Sequence, residues 1–197
     1  MTTIIKRAGT RLACAVILVL ASVSCGDMAR EGQASSYLII TQLTAAPGGE
    51  DAGTFGGNLN SDVSPVFNDN GQVGFLLALK DPTSLTGPTT ANFITIDRYR
   101  VKYIRSDGRN VEGVDVPYTF DGAITGTVSQ SASFTFTIVR HQAKEEAPLA
   151  TLRANPFLGI ILSTIAEVTF YGHDQTGRAV SVTGKISINF ADFADSE

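Results

Sequence analysis

Few residues of this 197-residue chain carry reactive chemistry, and their spacing narrows what they can do. The only histidines are His141 and His173. They lack Cys partners and any His-Glu-x-x-His spacing, so they make a poor zinc pair and read as solvated residues at a strand end and in a hairpin turn. There is no Gly-x-Ser-x-Gly elbow, no phosphate loop and no Gly-x-Gly-x-x-Gly after a strand, while a Ser-His-Asp site assembled from distant loops would leave no local signature. Asp62, Asn68, Asp69 and Asn70 put hard oxygen donors close together. Asp62 and Asp69 are therefore calcium candidates, although the spacing does not fit an EF-hand loop and a plain Asx turn explains it as well. Arg98, Arg100 and Lys102 share one parity of a strand-like segment, with Arg105 and Arg109 just beyond. That stripe suits an anionic glycan, a lipid head group or a partner's acidic patch; the plainer reading is a solvated face paired across strands with Glu112 or Asp115. Tyr99, Tyr103, Tyr118 and Tyr171 would make a sugar platform if exposed, and otherwise pack at a sheet edge with their hydroxyls in water.

Those residues need a scaffold, and the composition says which kind. Charged residues make up 17% of the chain and apolar residues 43%, with 19 Gly and no Trp. This is a globular composition rich in turn residues, which suits an all-β fold. The formal charge of -4 understates the acidity of the body, because residues 1–24 hold Lys6, Arg7 and Arg11 and no acid, leaving 12 basic against 19 acidic residues beyond them. An acidic body argues against a dedicated nucleic-acid binder.

The N-terminus is the most specific stretch. Lys6, Arg7 and Arg11 form a positive region, Leu12 to Leu20 is an apolar run too short to span a bilayer comfortably, and small residues follow at once. The pattern is that of a secretory signal peptide over residues 1–24. Ala21-Ser22-Val23-Ser24-Cys25 then resembles the lipobox of bacterial lipoproteins, with Ser22 standing where an aliphatic residue is usual. The resemblance implies that Cys25 becomes the acylated first residue of a membrane-anchored mature chain; the alternative is ordinary cleavage nearby with Cys25 a free thiol. Cys14 would leave with the leader, so Cys25 would be a lone thiol in an oxidising compartment unless acylated. Residues 25–35 are polar, small and aperiodic, a tether.

The remainder, residues 36–197, reads as one domain of short strands. The strongest pattern is Ala166 to Phe190, where Val180, Val182, Gly184, Ile186, Ile188 and Phe190 alternate with polar residues, and Ala166, Val168 and Phe170 do the same before an Asp- and Gly-containing turn. This predicts a long antiparallel hairpin with one dry face. Strands are also predicted over 37–43, 62–67 (a short edge), 72–80, 93–105, 111–120, 123–129 and 133–140, with turns at Asn68 to Gly71, Ser106 to Arg109 and Asp121-Gly122. Within 93–105 the apolar parity changes near Asp97, which predicts a bulge or a change of sheet there. Residues 141–155 carry a short helical or irregular insertion interrupted at Pro148.

The hairpin from Val168 through the Asp174-Gln175-Thr176-Gly177 turn to Val182 resembles the last two strands of bacterial Ig-like domains. It implies an all-β, Ig-like antiparallel sandwich of about eight strands, and a binding or spacer module rather than an enzyme. No cofactor is expected. The joint expectation is a bacterial cell-envelope lipoprotein, periplasmic or surface-exposed, held on the membrane through Cys25 and acting as a non-catalytic binding or scaffolding module with an envelope protein or glycan as partner. An accessory subunit or small enzyme of an envelope complex, and a secreted spacer or assembly domain without a lipid anchor, are the alternatives.

Overall fold

The computed structural model describes residues 32–48, 54–64, 67–81, 83, 85–154 and 159–193. Eight strands form two sheets. β1 (Ser36–Ala46), β3 (Asp69–Leu79) and β6 (Ser131–Val139) make the smaller sheet, in the order β1-β3-β6. β2 (Asn58–Asp62), β8 (Ala179–Ala191), β7 (Leu162–Asp174), β4 (Ile94–Ile104) and β5 (Phe120–Val128) make the larger, in the order β2-β8-β7-β4-β5. The chain changes sheet after β1, β2, β3, β5 and β6, which is the crossed connectivity of an Ig-like sandwich. Every pairing is antiparallel except β2 with β8, which run parallel from Asn58↔Ser187 to Asp62↔Ala191.

The hairpin forms as its alternation predicts. Ala166, Val168, Phe170, Ile186, Ile188 and Phe190 are buried, while Glu167, Lys185, Ser187 and their neighbours turn outward. Between the sheets lies an aromatic cluster in which Phe75 and Phe136 of the small sheet meet Tyr99 and Phe170 of the large one. Centroids are 5.1 Å apart for Phe75–Phe170, 5.0 Å for Tyr99–Phe136 and 5.2 Å for Phe136–Phe170, all edge-on. Such edge-on pairs add to the stabilisation from area burial, on the order of 1 kcal/mol each.

The predicted break in β4 is a bulge. The register of β4 shifts between Ile96 and Arg98 against both β5 and β7, so Ile94 and Ile96 face the core on one parity and Tyr99, Val101 and Tyr103 on the other. The insertion after β6 forms two single-turn helices, α1 (His141–Glu145) and α2 (Leu149–Arg153).

Four expectations are corrected. Asp69, Asn70 and Gly71 lie inside β3 rather than in a turn, and Gly122 lies inside β5. Both glycines serve packing, since a Cβ on Gly71 would come within 2.5 Å of the Phe136 ring and one on Gly122 within 2.2 Å of the Tyr99 ring. Residues 111–119 form no strand; a lone bridge joins Glu112 to Val116. The edge strand falls at Asn58–Asp62 rather than after Asp62, because one of its inward positions is Ser61, whose hydroxyl is bonded within the core.

Candidate functional site

The outer face of the larger sheet carries the cationic stripe. Its rows follow the register: Arg98 opposite Tyr171 and then Ser181, Arg100 opposite Thr169 and Thr183, Lys102 opposite Glu167 and Lys185. Most of the stripe is neutralised locally. Arg100 donates to both oxygens of Asp121 at 2.8 and 2.9 Å across the β4–β5 pair. The hydrogen bond from Arg100 holds the Asp121 carboxyl below its ordinary range. Arg105 and Arg109 converge on Asp107 at 2.6 and 2.9 Å, and those hydrogen bonds, with Arg105 foremost, depress Asp107 as well. The acids expected as partners do other work: Glu112 accepts from Thr119 Oγ1, and Asp115 from the Val111 amide. Glu167 is taken by Lys185 at 3.0 Å.

Arg98 differs. Its guanidinium lies over the Tyr171 ring, 3.9 Å from the centroid, and it forms no ion pair among the described residues. The bulge sets Asp97 and Arg98 side by side on the exposed face, where an unbroken strand would turn one of them inward. Gly172 opposite the bulge lets β7 come close, since a Cβ there would stand 2.2 Å from the Thr95 carbonyl oxygen. Asp97 Oδ2 lies 3.4 Å from His173 Nδ1.

These residues line a half-open cleft of about 490 Å³ at the end of the sandwich where β1 begins and β7 turns into β8. Its other wall is the entering chain. Residues Gly32 to Ser35, expected as part of the tether, are bonded to the domain: Ala34 is buried, the Lys80 amide donates to the Ser35 carbonyl at 2.9 Å, and Lys80 Nζ donates to the Gly32 carbonyl at 2.7 Å. Tyr37 and Ser181 also line it. The β7–β8 turn at the rim is fixed by Asp174, whose Oδ1 accepts from Thr176 N, Thr176 Oγ1 and Arg178 N at 2.9, 2.6 and 2.9 Å. Burial pushes the Asp174 carboxyl up, but the Thr176 and Arg178 hydrogen bonds outweigh it and the net shift is downward.

At the opposite end lie the calcium candidates Asp62 and Asp69. Asp69 is buried; its Oδ1 accepts from Lys144 Nζ at 3.1 Å and from the Gly48 amide at 2.9 Å, and its Oδ2 from Ser61 Oγ at 2.6 Å. The counter-charge on that carboxylate is the Lys144 ammonium. Asp62 Oδ1 accepts from the Ser64 amide as an Asx turn. Among the described residues no three of His, Cys, Asp and Glu gather as a metal site. His141 is tied to Asn68, whose Oδ1 takes its amide at 2.8 Å and lies 3.1 Å from Nδ1.

The tyrosine platform is not assembled either. Tyr99 and Tyr103 are core residues, Tyr118 is exposed on the 105–119 loop, and Tyr171 lies under Arg98. Sequence reasoning picked out Arg98 and missed Tyr37, Lys80 and the Asp97–His173 pair. Cys25 lies outside the described residues. No helix among the described residues is long and apolar enough to cross a membrane.

Fold and site together define an Ig-like β-sandwich with a mixed-charge cleft at its N-terminal end. No protein-family model matches the chain, and no curated protein matches it. Among solved structures it aligns with the X-ray structure of a Northeast Structural Genomics Consortium target, at 9% identity and a TM-score of 0.35, over 83% of this chain and 92% of that one. A likeness that loose carries no argument about what the chain does.

Proposed function

We propose that this is a bacterial cell-envelope lipoprotein whose Ig-like sandwich acts as a non-catalytic binding module. Signal peptide, lipobox-like Ala21 to Cys25 and lone mature cysteine supply the anchor. The observation that carries the binding half is the cleft, which collects Lys80, Asp97, Arg98, Tyr171 and His173 beside the segment that follows Cys25. On an anchored chain, residues 26–31 would join the lipidated Cys25 to Gly32 at the rim of the cleft, within reach of the membrane surface. Several acyl chains on Cys25, at roughly 0.8 kcal/mol per buried methylene, would hold it there permanently. The test is the intact mass of protein extracted from its native membrane. Residues 25–197 plus acyl groups is the expected species, and an unmodified chain in the soluble fraction would rule out the anchor.

A second reading has one observation behind it. His173, Asp97 and Ser181 line the same cleft, as an envelope hydrolase of the Ser-His-Asp kind would require. No hydrogen bond joins Ser181 to His173 among the described contacts, which is why binding is preferred. Chromogenic acyl-ester turnover lost in both Ser181→Ala and His173→Ala would reverse that preference.

A further inference from the structure

We propose that the N-terminal cleft is an oxyanion site, in which Arg98 and Lys80 receive the carboxylate or phosphate group of a small ligand. The proposal deepens the binding reading above and is independent of the lipid anchor, because an unacylated chain would bind the same way.

The first argument is the use of charge. Arg100, Arg105, Arg109 and Lys185 each have a carboxylate within 3 Å; among the described residues Arg98 and Lys102 of the stripe have none, and of these two Arg98 lines the cleft. The contact with the Tyr171 ring, 3.9 Å from Cζ to the centroid, engages the guanidinium without spending any N–H donor. A guanidinium with free donors is suited to bidentate capture of a carboxylate or phosphate. The adjacent acid does not cancel it: Asp97 makes no ion pair with Arg98, and its Oδ2 faces His173 at 3.4 Å.

The second argument is the opposite wall. Lys80 Nζ has three donors, of which the Gly32 carbonyl takes one at 2.7 Å; this contact holds the ammonium at the cleft. Lys80 and Arg98 thus outweigh Asp97 in a cleft on an otherwise acidic body. Ser181, across from Tyr171 in the register, adds a hydroxyl, and the Tyr37 ring, 41% exposed, offers an apolar wall to the rest of the ligand. A volume of about 490 Å³ is within the range of small-molecule sites. The anion has two sources, a phospholipid head group on the membrane side or a soluble sugar acid or phosphate.

The experiment is titration calorimetry on the detergent-solubilised full-length protein with glycerol phosphate, inorganic phosphate and D-glucuronate, and D-glucose as the uncharged control. Saturable binding of at least one anion is expected, with none of glucose. Arg98→Ala should weaken it about tenfold or more, Arg98→Lys should restore part of it, and Lys185→Ala should leave it unchanged. Tightest binding of glycerol phosphate assigns the head group, and tightest binding of phosphate or glucuronate a soluble ligand. If no anion saturates, or if Arg98→Ala, with an unchanged denaturation midpoint, titrates like the wild type, the proposal is overturned. The mass of the membrane-extracted protein reports on the anchor separately.

Discussion

Lys144 Nζ lies 3.1 Å from Asp69 Oδ1 with both side chains all but fully buried, so the insertion after β6 is tied into the base of the sandwich by one ion pair. The carboxylate is well satisfied, because Gly48 and Ser61 donate to it as well. Charges removed from water in this way are costly, and the pair holds only while both members are present.

Lys144→Met should therefore destabilise the protein by about 3–5 kcal/mol in chemical denaturation, by leaving Asp69 buried without its counter-charge. Adding Asp69→Leu should recover part of that loss. A double variant as unstable as the sum of the two single ones would mean that the pair is not coupled.

Gly172 gives a prediction that links fold to cleft. A Cβ at this position meets backbone, with the Thr95 carbonyl oxygen at 2.2 Å and Ile96 Cα at 2.9 Å, so no rotamer change relieves it. Gly172→Ala should cost about 1–3 kcal/mol, the usual scale of overpacking. By forcing β4 and β7 apart beside the bulge it should also shift the Arg98 side-chain resonances, which a change confined to stability would leave in place.

Asp174 predicts acid sensitivity. Its folded-state pKa is lowered, so the stability it contributes is fully present above the ordinary carboxylate value and is lost as the pH falls from that value through the lower folded-state one. Asp174→Ala should cost about 1–3 kcal/mol at neutral pH, because Thr176 N and Arg178 N lose their acceptor. The variant's stability should also fall less steeply than the wild type's on acidification. Parallel urea midpoints at pH 7 and below pH 4 check both, and equal slopes would show that Asp174 contributes nothing to the acid limb.

How far the sequence revealed these features depends on what each residue is doing. The β7–β8 hairpin and the bulge near Asp97 were legible because apolar parity is a backbone property, and burial follows it along Ile94, Ile96, Tyr99 and Val101. Gly71 and Gly122 misled because glycine marks a turn and also a place where an aromatic ring lies on a strand, and only the fold distinguishes the two. β2 was obscured because Ser61 fills an inward position as a hydrogen-bond donor. Arg98 was one of five cations in the stripe, and the pairing that takes Arg100, Arg105 and Arg109 but spares Arg98 and Lys102 comes from Asp121 and Asp107, which no local pattern shows. Lys80 is held at the cleft by the chain entering β1, through the Gly32 carbonyl, a contact between residues far apart in sequence.

Tyr103 supports a last prediction, at high pH. Its side chain is buried between the sheets, its ring packs edge-on to Phe190, and its hydroxyl donates to the Ile138 carbonyl at 2.7 Å, joining β4 to β6. Burial, reinforced by the nearby Asp69 charge, pushes this phenol well above its ordinary value; burial also raises Tyr99, where hydrogen bonding to Thr137 opposes it. A phenol with a raised folded-state pKa contributes stability that is intact below the unfolded value near 10 and is lost as the pH climbs beyond it. Ultraviolet titration should therefore show Tyr99 and Tyr103 ionising only as the fold opens, in step with the loss of β-sheet circular dichroism. Tyr103→Phe removes the hydroxyl and leaves the ring, so it should cost about 1 kcal/mol at neutral pH and reduce the alkaline loss of stability. If all five tyrosines of the chain ionised together while the circular dichroism stayed native, the buried placement of Tyr103 would be wrong.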